Sequence, residues 1–262
     1  MAWPFFSLAK SRRIVPIDFH MGSVTIRVEA TPDHGMATIW DADVLIWAAS
    51  QIVEARDVGL RTSRLMAATP HEILTFIGRG VSVRDYHRLK AALDRLQSTT
   101  IATSIRQPTE RRMHRFSWIN EWKERADGTG RPLGLELVLP DWFYAGVLDD
   151  TLILTIDRAY FALTSGLERW LYRLVRKHAG HQRHGWRFEF RHLHLKSGSL
   201  SRFSAFAFEL RDIVRRQPLP GYRLAVEHTG RTEILVFVPH ADASSGRNSG
   251  PFHITRNPVD KL

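Results

Sequence analysis

One pattern limits the fold of this chain more than any other: two helices joined by a tight turn and followed by a strand hairpin, an order that occurs twice. In the first occurrence, Thr69-Pro70-His71-Glu72 and Ser82-Val83-Arg84-Asp85 have the residue order of capping boxes, in which a hydroxyl and a carboxylate stabilise the first turn of a helix. Gly78-Arg79-Gly80 lies between them and favours a turn. Two helices joined in this way are typical of a helix-turn-helix motif.

A longer helix precedes this pair, and strand-like segments follow it. The apolar spacing from Leu45 to Val53 predicts a helix that begins at Asp41, a residue suited to the N-cap position. A hairpin after a helix-turn-helix motif predicts a winged helix. The segments with strand composition are Thr99 to Ile105, Met113 to Trp122 and Pro132 to Leu139. We expect the first wing to carry four arginines that contact DNA phosphates: Arg106, Arg111, Arg112 and Arg115.

The second occurrence lies behind Pro140. Apolar residues from Leu163 to Val175 predict a core helix, and a second amphipathic helix is predicted from Ser199 to Arg216. Alternating apolar residues on both sides of Thr229-Gly230 predict another hairpin. The fold class is therefore α+β, with two tandem winged-helix domains and with the wings as the only substantial sheets. The expected parts are an N-terminal segment, 1–35, a first domain, 36–139, a second domain, 140–240, and a flexible tail, 241–262.

The charge of the chain favours a polyanionic partner. The net charge is +10, and only six of the 37 basic residues are lysines. Arginine has a planar guanidinium that donates paired hydrogen bonds to phosphate oxygens and to guanine, so double-stranded DNA is the predicted partner. The absence of cysteine excludes disulfides and thiol chemistry, and it fits a cytoplasmic protein. The sequence also predicts no secretory signal, no transmembrane segment and no membrane partner.

The two helix-turn-helix motifs supply the remaining candidate DNA contacts. In the first motif, Arg84, His87, Arg88 and Lys90 lie away from the predicted apolar stripe. In the second, Arg202 is the candidate for a paired contact with guanine, because recognition helices usually meet base edges with their N-terminal half. We expect the surrounding polar residues to face the DNA and to position its phosphates: Lys196, Ser197, Ser199, Ser201, Arg223 and Arg231.

Two histidine patterns raise the alternative of a metal site. His192-Leu193-His194 has the His-hydrophobic-His order with which rolling-circle nucleases hold a metal beside a nucleophilic tyrosine, but no tyrosine lies on a following helix. His178, His181 and His184 are evenly spaced, but they span a helix end and a loop. The chain also lacks the glycine-rich loop that binds ATP phosphates. We therefore predict no catalytic site, no metal and no cofactor, with a nuclease as a remote alternative.

Several separated segments resemble the plasmid replication initiator protein A family, and they occur in the family's order. The resemblance extends from the N-terminus to about Val238. One departure is visible at Ala162 to Gly166, where the family pattern would place Arg-Leu-Arg-Lys-Pro, and this puts one local charge contact in doubt. The segments that carry the resemblance are Phe5 to Leu8, Ala37 to Ile46, Arg88 to Gln97, Leu167 to Leu174 and His192 to Ser199.

The resemblance implies an initiator that binds repeated sites, or iterons, at a plasmid origin. It also implies that the protein promotes opening of an adjacent A·T-rich segment, recruits the host replication initiator and helicase, and represses its own gene. A homodimer is implied as well, and Phe116, Trp118 and Trp122 of the first hairpin are candidates either for its interface or for the core of the first domain. The other function left open is a winged-helix transcriptional repressor without a role in replication.

Overall fold

A computed structural model describes residues 2–106, 113–129, 132–179, 185–240 and 252–255. Over these ranges the chain mixes helices with antiparallel strands, which confirms the predicted combination of α and β structure. The elements up to residue 138 are β1 (Ile17–Met21), β2 (Val24–Glu29), α1 (Ala42–Asp57), β3 (Leu65–Ala68), α2 (Pro70–Phe76), α3 (Val83–Ser98), β4 (Thr100–Thr103), β5 (His114–Ser117), β6 (Glu121–Ala126) and β7 (Pro132–Val138).

The second part of the chain begins with a short helix. Two 3-10 helices, Asp150–Leu152 and Arg158–Ala162, lie before and after the first strand of this part. The elements are α4 (Asp141–Leu148), β8 (Ile153–Ile156), α5 (Gly166–Ala179), β9 (Trp186–Glu189), α6 (Phe190–Ser197), α7 (Phe203–Arg216), β10 (Tyr222–Thr229), β11 (Thr232–Pro239) and β12 (Phe252–Thr255).

Six elements in each half of the chain follow the same order: helix, strand, helix, helix, strand, strand. We call α1, β3, α2, α3, β6 and β7 the first unit, and α5, β9, α6, α7, β10 and β11 the second unit. The sheet of the first unit has the order β3-β7-β6, and Val138 pairs with Leu65 on one side and with Glu121 on the other. The sheet of the second unit has the equivalent order β9-β11-β10, with Ile234 between Glu189 and Glu227.

A further sheet, with the order β1-β2-β4-β5, was not predicted. The expected strand from Met113 to Trp122 is in fact two strands, because β5 pairs with β4 whereas β6 pairs with β7. Trp118 and Ile119 lie between them and are buried, so the chain crosses the core there instead of continuing one strand. The prediction that the wings are the only substantial sheets was therefore wrong. β4 and β5, which flank the expected first wing, therefore belong to a different sheet from that of the first unit.

Capping interactions fix the beginnings of α2 and α3 as the sequence predicted. Glu72 N donates to Thr69 Oγ1 at 3.2 Å, and Asp85 N donates to Ser82 Oγ at 3.3 Å. The carboxylates accept in return from the backbone N–H groups of the two capping residues, at 2.6 and 3.2 Å. These reciprocal bonds satisfy N–H groups that have no partner inside the helix.

Asp41 precedes α1 at the predicted N-cap position, but its side chain forms no capping hydrogen bond to the helix. Its carboxylate accepts two hydrogen bonds from Arg95, at 2.8 and 2.7 Å, and a third from Thr38 N at 2.8 Å. The carboxylate therefore joins α3 to the start of α1. A buried carboxylate prefers a paired bond from a guanidinium to a single bond from a backbone N–H.

A buried ion pair joins the two units. Asp43 in α1 is fully buried, and Arg169 in α5 is 3% exposed. Arg169 Nη1 lies 2.8 and 2.7 Å from the two carboxylate oxygens of Asp43, and Arg79 Nη2 donates to Asp43 Oδ2 at 3.0 Å. Arg169 also donates to the carbonyl oxygens of Leu163 and Phe161, at 2.8 and 2.7 Å. Removing one member of this pair would leave an unpaired charge in the core.

Residues 3–6, which we call the N-terminal aromatic segment, are buried and contact residues from both halves of the chain. Phe6 stacks on Trp118 with ring centroids 4.7 Å apart, and Trp118 lies between β5 and β6. Trp3 lies beneath Lys196 of α6, whose Nζ is 3.9 Å from the ring centroid. The expected N-terminal segment is therefore part of the core, and it continues into β1 and β2.

The aromatic residues of the first hairpin also belong to the core. Phe116 is 9% exposed and Trp118 is 1% exposed, and Trp122 is partly buried with its Nε1 donating to Asp94 at 3.1 Å. They fill the interior of the chain, so the suggestion that Phe116 and Trp118 form a dimer interface was wrong. The dimer itself stays a prediction.

The predicted flexible tail contains a strand. β12 pairs antiparallel with β8, with Phe252 opposite Ile156 and Thr255 opposite Ile153. The rest of the predicted tail, 241–251 and 256–262, lies outside the described residues.

Candidate nucleic-acid interface

The exposed side of α3 has three neighbouring basic residues. Arg84, His87 and Arg88 are spaced three and four residues apart, so they lie on one side of the helix, and all three are exposed. Arg88 forms a 3.4 Å ion pair with Asp85, whereas Arg84 and His87 have no hydrogen-bond or ion-pair partner among the described residues. The opposite side of α3 packs in the core through Leu89, Leu93 and Leu96. The exposed side of α3, with Arg84, His87 and Arg88, can therefore contact phosphates along its length.

Lys90, which was predicted with these residues, lies closer to the first-unit hairpin. Its Nζ is 2.6 Å from Glu124 Oε1 in β6. The strands of this hairpin are acidic on balance, because β6 and β7 together contain Glu121, Glu124 and Glu136 against Lys123 and Arg125. Both of those basic residues form ion pairs with Glu136, at 3.0 and 3.2 Å. These strands thus have little free positive charge for phosphates.

Helix α7 begins later than the sequence predicted, at Phe203 instead of Ser199. Its N-cap residue is Arg202, no side chain caps this end, and the first turn has no acidic residue. No side chain therefore satisfies the first N–H groups of α7. The turn before the helix is held by its own hydroxyls, because Ser199 Oγ lies 2.8 Å from Ser201 Oγ and accepts from Ser201 N at 3.2 Å.

Arg202 is exposed, and its guanidinium has no hydrogen-bond or ion-pair partner in the part of the chain that the structure describes. The other arginines of α7 are paired. Arg211 forms a two-bond pair with Glu233 at 2.7 Å, and Arg215 and Arg216 both contact Asp212. Free positive charge is thus concentrated at the N-terminal end of α7, where the helix dipole is also positive.

Lys196 and Ser197 do not face solvent, so their predicted contact with phosphates was wrong. Lys196 is 5% exposed and Ser197 is fully buried. The Lys196 ammonium packs on the Trp3 ring, and burial lowers its pKa to about 8. Ser197 Oγ donates to the carbonyl oxygen of His194 at 2.7 Å, which helps to end α6. The sequence pattern suggested a polar turn, but this turn packs against the N-terminal aromatic segment.

Arg106 also packs against the protein, contrary to its predicted role. Its guanidinium carbon lies 3.8 Å from the centroid of a Trp142 ring, and its Nη2 donates to the Trp142 carbonyl oxygen. Burial lowers the Arg106 pKa to about 10. Arg115 in β5 is exposed and lies 3.9 Å from Glu29. Arg111 and Arg112 lie outside the described residues.

The hairpin of the second unit presents two basic residues. Arg223 in β10 and Arg231 in the turn between β10 and β11 are exposed, and neither guanidinium forms an ion pair within the described ranges. Gln217 at the end of α7 fixes the base of this hairpin, because its amide exchanges two 2.8 Å hydrogen bonds with the backbone of Leu224. The hairpin and α7 are therefore held together next to Arg223.

The histidine motif lies on a helix, not on a strand. β9 ends at Glu189, and His192 and His194 belong to α6. His192 stacks on Phe188 with centroids 5.3 Å apart, and His194 Nε2 lies 2.8 Å from the carbonyl oxygen of Ser201. Within the described ranges no group of three or more histidine or acidic residues is placed to hold a metal ion. His181 and His184 fall outside those ranges.

Phe208 was missed by the sequence reasoning. It is 73% exposed on α7, on the side opposite Phe206, Leu210 and Ile213, which are buried. A helical projection of α7 would have identified it, because it is the one large apolar residue of that helix outside the buried stripe.

Residues 1–224 match the model of the family described as Replication initiator protein A. A relative from Wigglesworthia glossinidia brevipalpis, named "Putative replication protein", is 32% identical over 228 residues, which cover 86% of this chain and 82% of the relative. None of the described helices is long and apolar enough to cross a membrane.

Two solved structures that contain domains 2 and 3 of RctB are similar to this chain in fold. The first has a TM-score of 0.60 at 16% sequence identity, and the alignment covers 91% of this chain and 95% of the RctB chain. The second, a selenomethionine derivative, has a TM-score of 0.61 at 18% sequence identity, and the alignment covers 91% of this chain and 96% of the RctB chain. Because the fit extends over nearly all of both chains, it supports the overall arrangement of the elements and not only that of one unit.

Proposed function

The chain belongs to the replication initiator protein A family, and on that premise we propose that it binds repeated double-stranded DNA sites at a plasmid origin and initiates replication there. Binding of several copies would promote opening of an adjacent A·T-rich segment and recruit the host replication initiator and helicase. The same binding would repress the chain's own gene, with a homodimer as the repressing form. We further propose that the protein acts in the cytoplasm.

We propose that both units are winged-helix domains. Each unit has the order helix, strand, helix, helix and hairpin, and in each the first strand pairs with the last. In such a domain the third helix enters the major groove and the hairpin lies along the backbone. By this assignment α3 and α7 are the recognition helices of the first and second units.

The observation that carries the proposal is Arg202 at the uncapped start of α7. A guanidinium at this position can donate two hydrogen bonds to O6 and N7 of guanine. The free N–H groups and the positive dipole end of α7 favour the phosphates on either side. Arg223 and Arg231 would contact phosphates from the hairpin, and the exposed side of α3 would do so from the first unit. Sequence recognition then belongs mainly to the second unit.

We propose that the chain has no catalytic site and uses no cofactor. Opening of the origin would then draw on the free energy of DNA binding, through bending of the DNA. Bending a site of 20 to 30 base pairs costs on the order of 1 to 6 kcal/mol. An array of bound copies can supply this amount. A transcriptional repressor without a replication role predicts the same DNA binding, so a plasmid that carries the gene and its flanking repeats must be tested for autonomous replication.

Arg202→Ala tests the DNA-binding part of the proposal. We expect a loss of about 1 to 3 kcal/mol on a duplex with the origin repeat and far less on random DNA. Affinities for both duplexes should be measured over a salt series. Arg215→Ala is the matched control, because Arg215 lies on the same helix but contacts Asp212. Equal losses on both duplexes for Arg202→Ala would show that this end of α7 does not recognise sequence.

A further inference from the structure

Phe208 is a projecting apolar side chain on a helix whose other large apolar residues are buried or partly buried. It is 73% exposed, whereas Phe206, Leu210 and Ile213 are at most 1% exposed. It lies six residues after Arg202, in the second turn of α7. The core of the second unit therefore does not need this ring, and a surface position on α7 has no packing reason to be aromatic.

The residues that precede Phe208 on the exposed side of α7 are small, whereas Arg211 and Asp212, which follow it, are charged and form ion pairs. Ser204 and Ala205 precede it by four and three residues, and both are exposed, so they are its neighbours on the helix surface. Small side chains allow the helix backbone to approach a partner closely while the phenyl ring extends beyond it. This arrangement fits a narrow partner groove better than a flat partner surface.

We propose that Phe208 contacts the C5-methyl groups of thymines in the major groove. The inference rests on the proposed function, since it assigns α7 to that groove. The thymine methyl is the apolar group on the major-groove edge of a base pair, and phenylalanine and alanine are among the side chains that contact it. Arg202 recognises guanine at the start of the helix, and Phe208 recognises thymine one to two turns further along.

The surroundings of Phe208 favour DNA over a protein partner. The free guanidinium of Arg202 lies at the N-terminal end of the same helix, and the chain has a net charge of +10. A protein interface needs a broad apolar centre, whereas the neighbours Ser204 and Ala205 add little apolar area. One ring beside a positive helix end matches a groove with phosphates on both sides and a methyl group on its floor.

The test uses the full chain and origin-repeat duplexes in which each thymine in turn is replaced by deoxyuridine, which lacks only the methyl group. For the unaltered chain we expect about a fourfold loss of affinity at one or two positions, because burial of one methyl group is worth about that factor. Phe208→Ala should lose a similar factor on the thymine duplex and show no further loss with deoxyuridine. Phe208→Leu should keep part of the discrimination.

Leu195→Ala is the matched control, because Leu195 is 59% exposed but lies on α6. It should keep the full discrimination between thymine and deoxyuridine, and thermal melting should show all variants equally folded. Failure of the unaltered chain to prefer the repeat over random DNA would refute the proposed function. A chain that prefers the repeat but ignores every deoxyuridine, or a Phe208→Ala variant that still discriminates, would overturn the inference alone. So would a Phe208→Ala variant that keeps its DNA affinities and instead lowers the sedimenting mass, which would make Phe208 a contact between copies.

Discussion

Helices α3 and α7 occupy the same place in their units, but they begin in opposite ways. α3 starts with a complete capping box formed by Ser82 and Asp85, so its first N–H groups are satisfied within the protein. α7 starts with Arg202, without a capping side chain and without an acidic residue in its first turn. An acidic cap repels phosphates, whereas an open end with a guanidinium attracts them. The same fold thus gives one helix a closed end and the other an end available to DNA.

The distribution of charge along the two helices differs in the same sense. In α3 the basic residues Arg84, His87 and Arg88 lie along the exposed side, as suits contact with a DNA backbone. In α7 the arginines of the second half are neutralised, and Arg216 reaches Glu168 of α5 at 2.7 Å. Under the proposed function, α3 would contact phosphates along its length and α7 would contact base edges at its N-terminal end.

The two units are joined by the buried pair of Asp43 and Arg169, and breaking this contact should have the largest effect. Asp43→Ala leaves Arg169 charged and without its carboxylate in the core, so we expect the free energy of unfolding to fall by about 3 to 5 kcal/mol. Urea denaturation measures this change. Arg27→Ala, which removes an exposed pair with Asp18 and Glu29, should cost less than about 1 kcal/mol. If both variants lose the same small amount, the buried pair does not hold the units together.

The second effect concerns the closed end of α3. Ser82→Ala removes the hydroxyl that accepts from Asp85 N, and we expect a loss of about 1 kcal/mol in the free energy of unfolding. Ser201→Ala, next to the start of α7, should cost only a few tenths, because Ser201 does not cap that helix. Thermal or urea unfolding of both variants decides the point. Equal losses of stability would mean that the Ser82 cap does not stabilise the start of α3 more than Ser201 stabilises the start of α7.

A third prediction examines the exposed side of α3. Arg84→Ala should weaken binding to the origin repeat and to random DNA alike, by about 1 kcal/mol near physiological salt. The slope of log affinity against log salt should decrease by about 0.9, the value for one phosphate contact. Fluorescence anisotropy titrations over a salt series provide both quantities. A loss confined to the origin repeat would assign base recognition to α3 and reverse the comparison.

The smallest expected effect is a gain. Arg202→Asp places a good N-cap residue at the start of α7, and we expect the free energy of unfolding to rise by about 0.5 kcal/mol. The same variant should lose preference for the origin repeat, since its carboxylate repels phosphates. Urea denaturation and DNA-binding titrations on one preparation measure the gain in stability and the loss of preference for the origin repeat. A variant that is less stable than the natural chain would show that the N-terminal end of α7 is already satisfied by other means.

Local signals in the sequence predicted the helices well. The boxes at Thr69 and Ser82 fix helix starts through neighbours three residues apart, so a short segment contains all the information. The start of α7 was placed four residues early, because Leu200 continues the apolar spacing although it is 61% exposed in the turn. Periodicity alone does not distinguish a helical residue from an apolar residue in the turn before it.

Long-range partners could not be predicted in the same way. The pairing of β4 and β5 with β1 and β2 depends on strands far apart in the chain, and nothing in the composition of Thr99 to Ile105 specifies it. Arg106 and Lys196 were assigned to DNA because basic residues near turns are usually solvated. In the structure both pack on tryptophan rings, Trp142 and Trp3, where the ring faces offset part of the cost of burying a cation.

The N-terminal aromatic segment has a consequence for the order of events during synthesis. Trp3 and Phe6 leave the ribosome long before two of the groups that pack on them, Trp118 and Lys196. The packing around Trp3 therefore cannot be completed before α6 has emerged, and part of this ring stays exposed to solvent until then. Contacts of such large sequence separation slow folding and prolong the exposure of apolar surface to other nascent chains. A chain interrupted before α6 would retain an incompletely covered Trp3 ring, and such exposed apolar surface is recognised by chaperones and proteases.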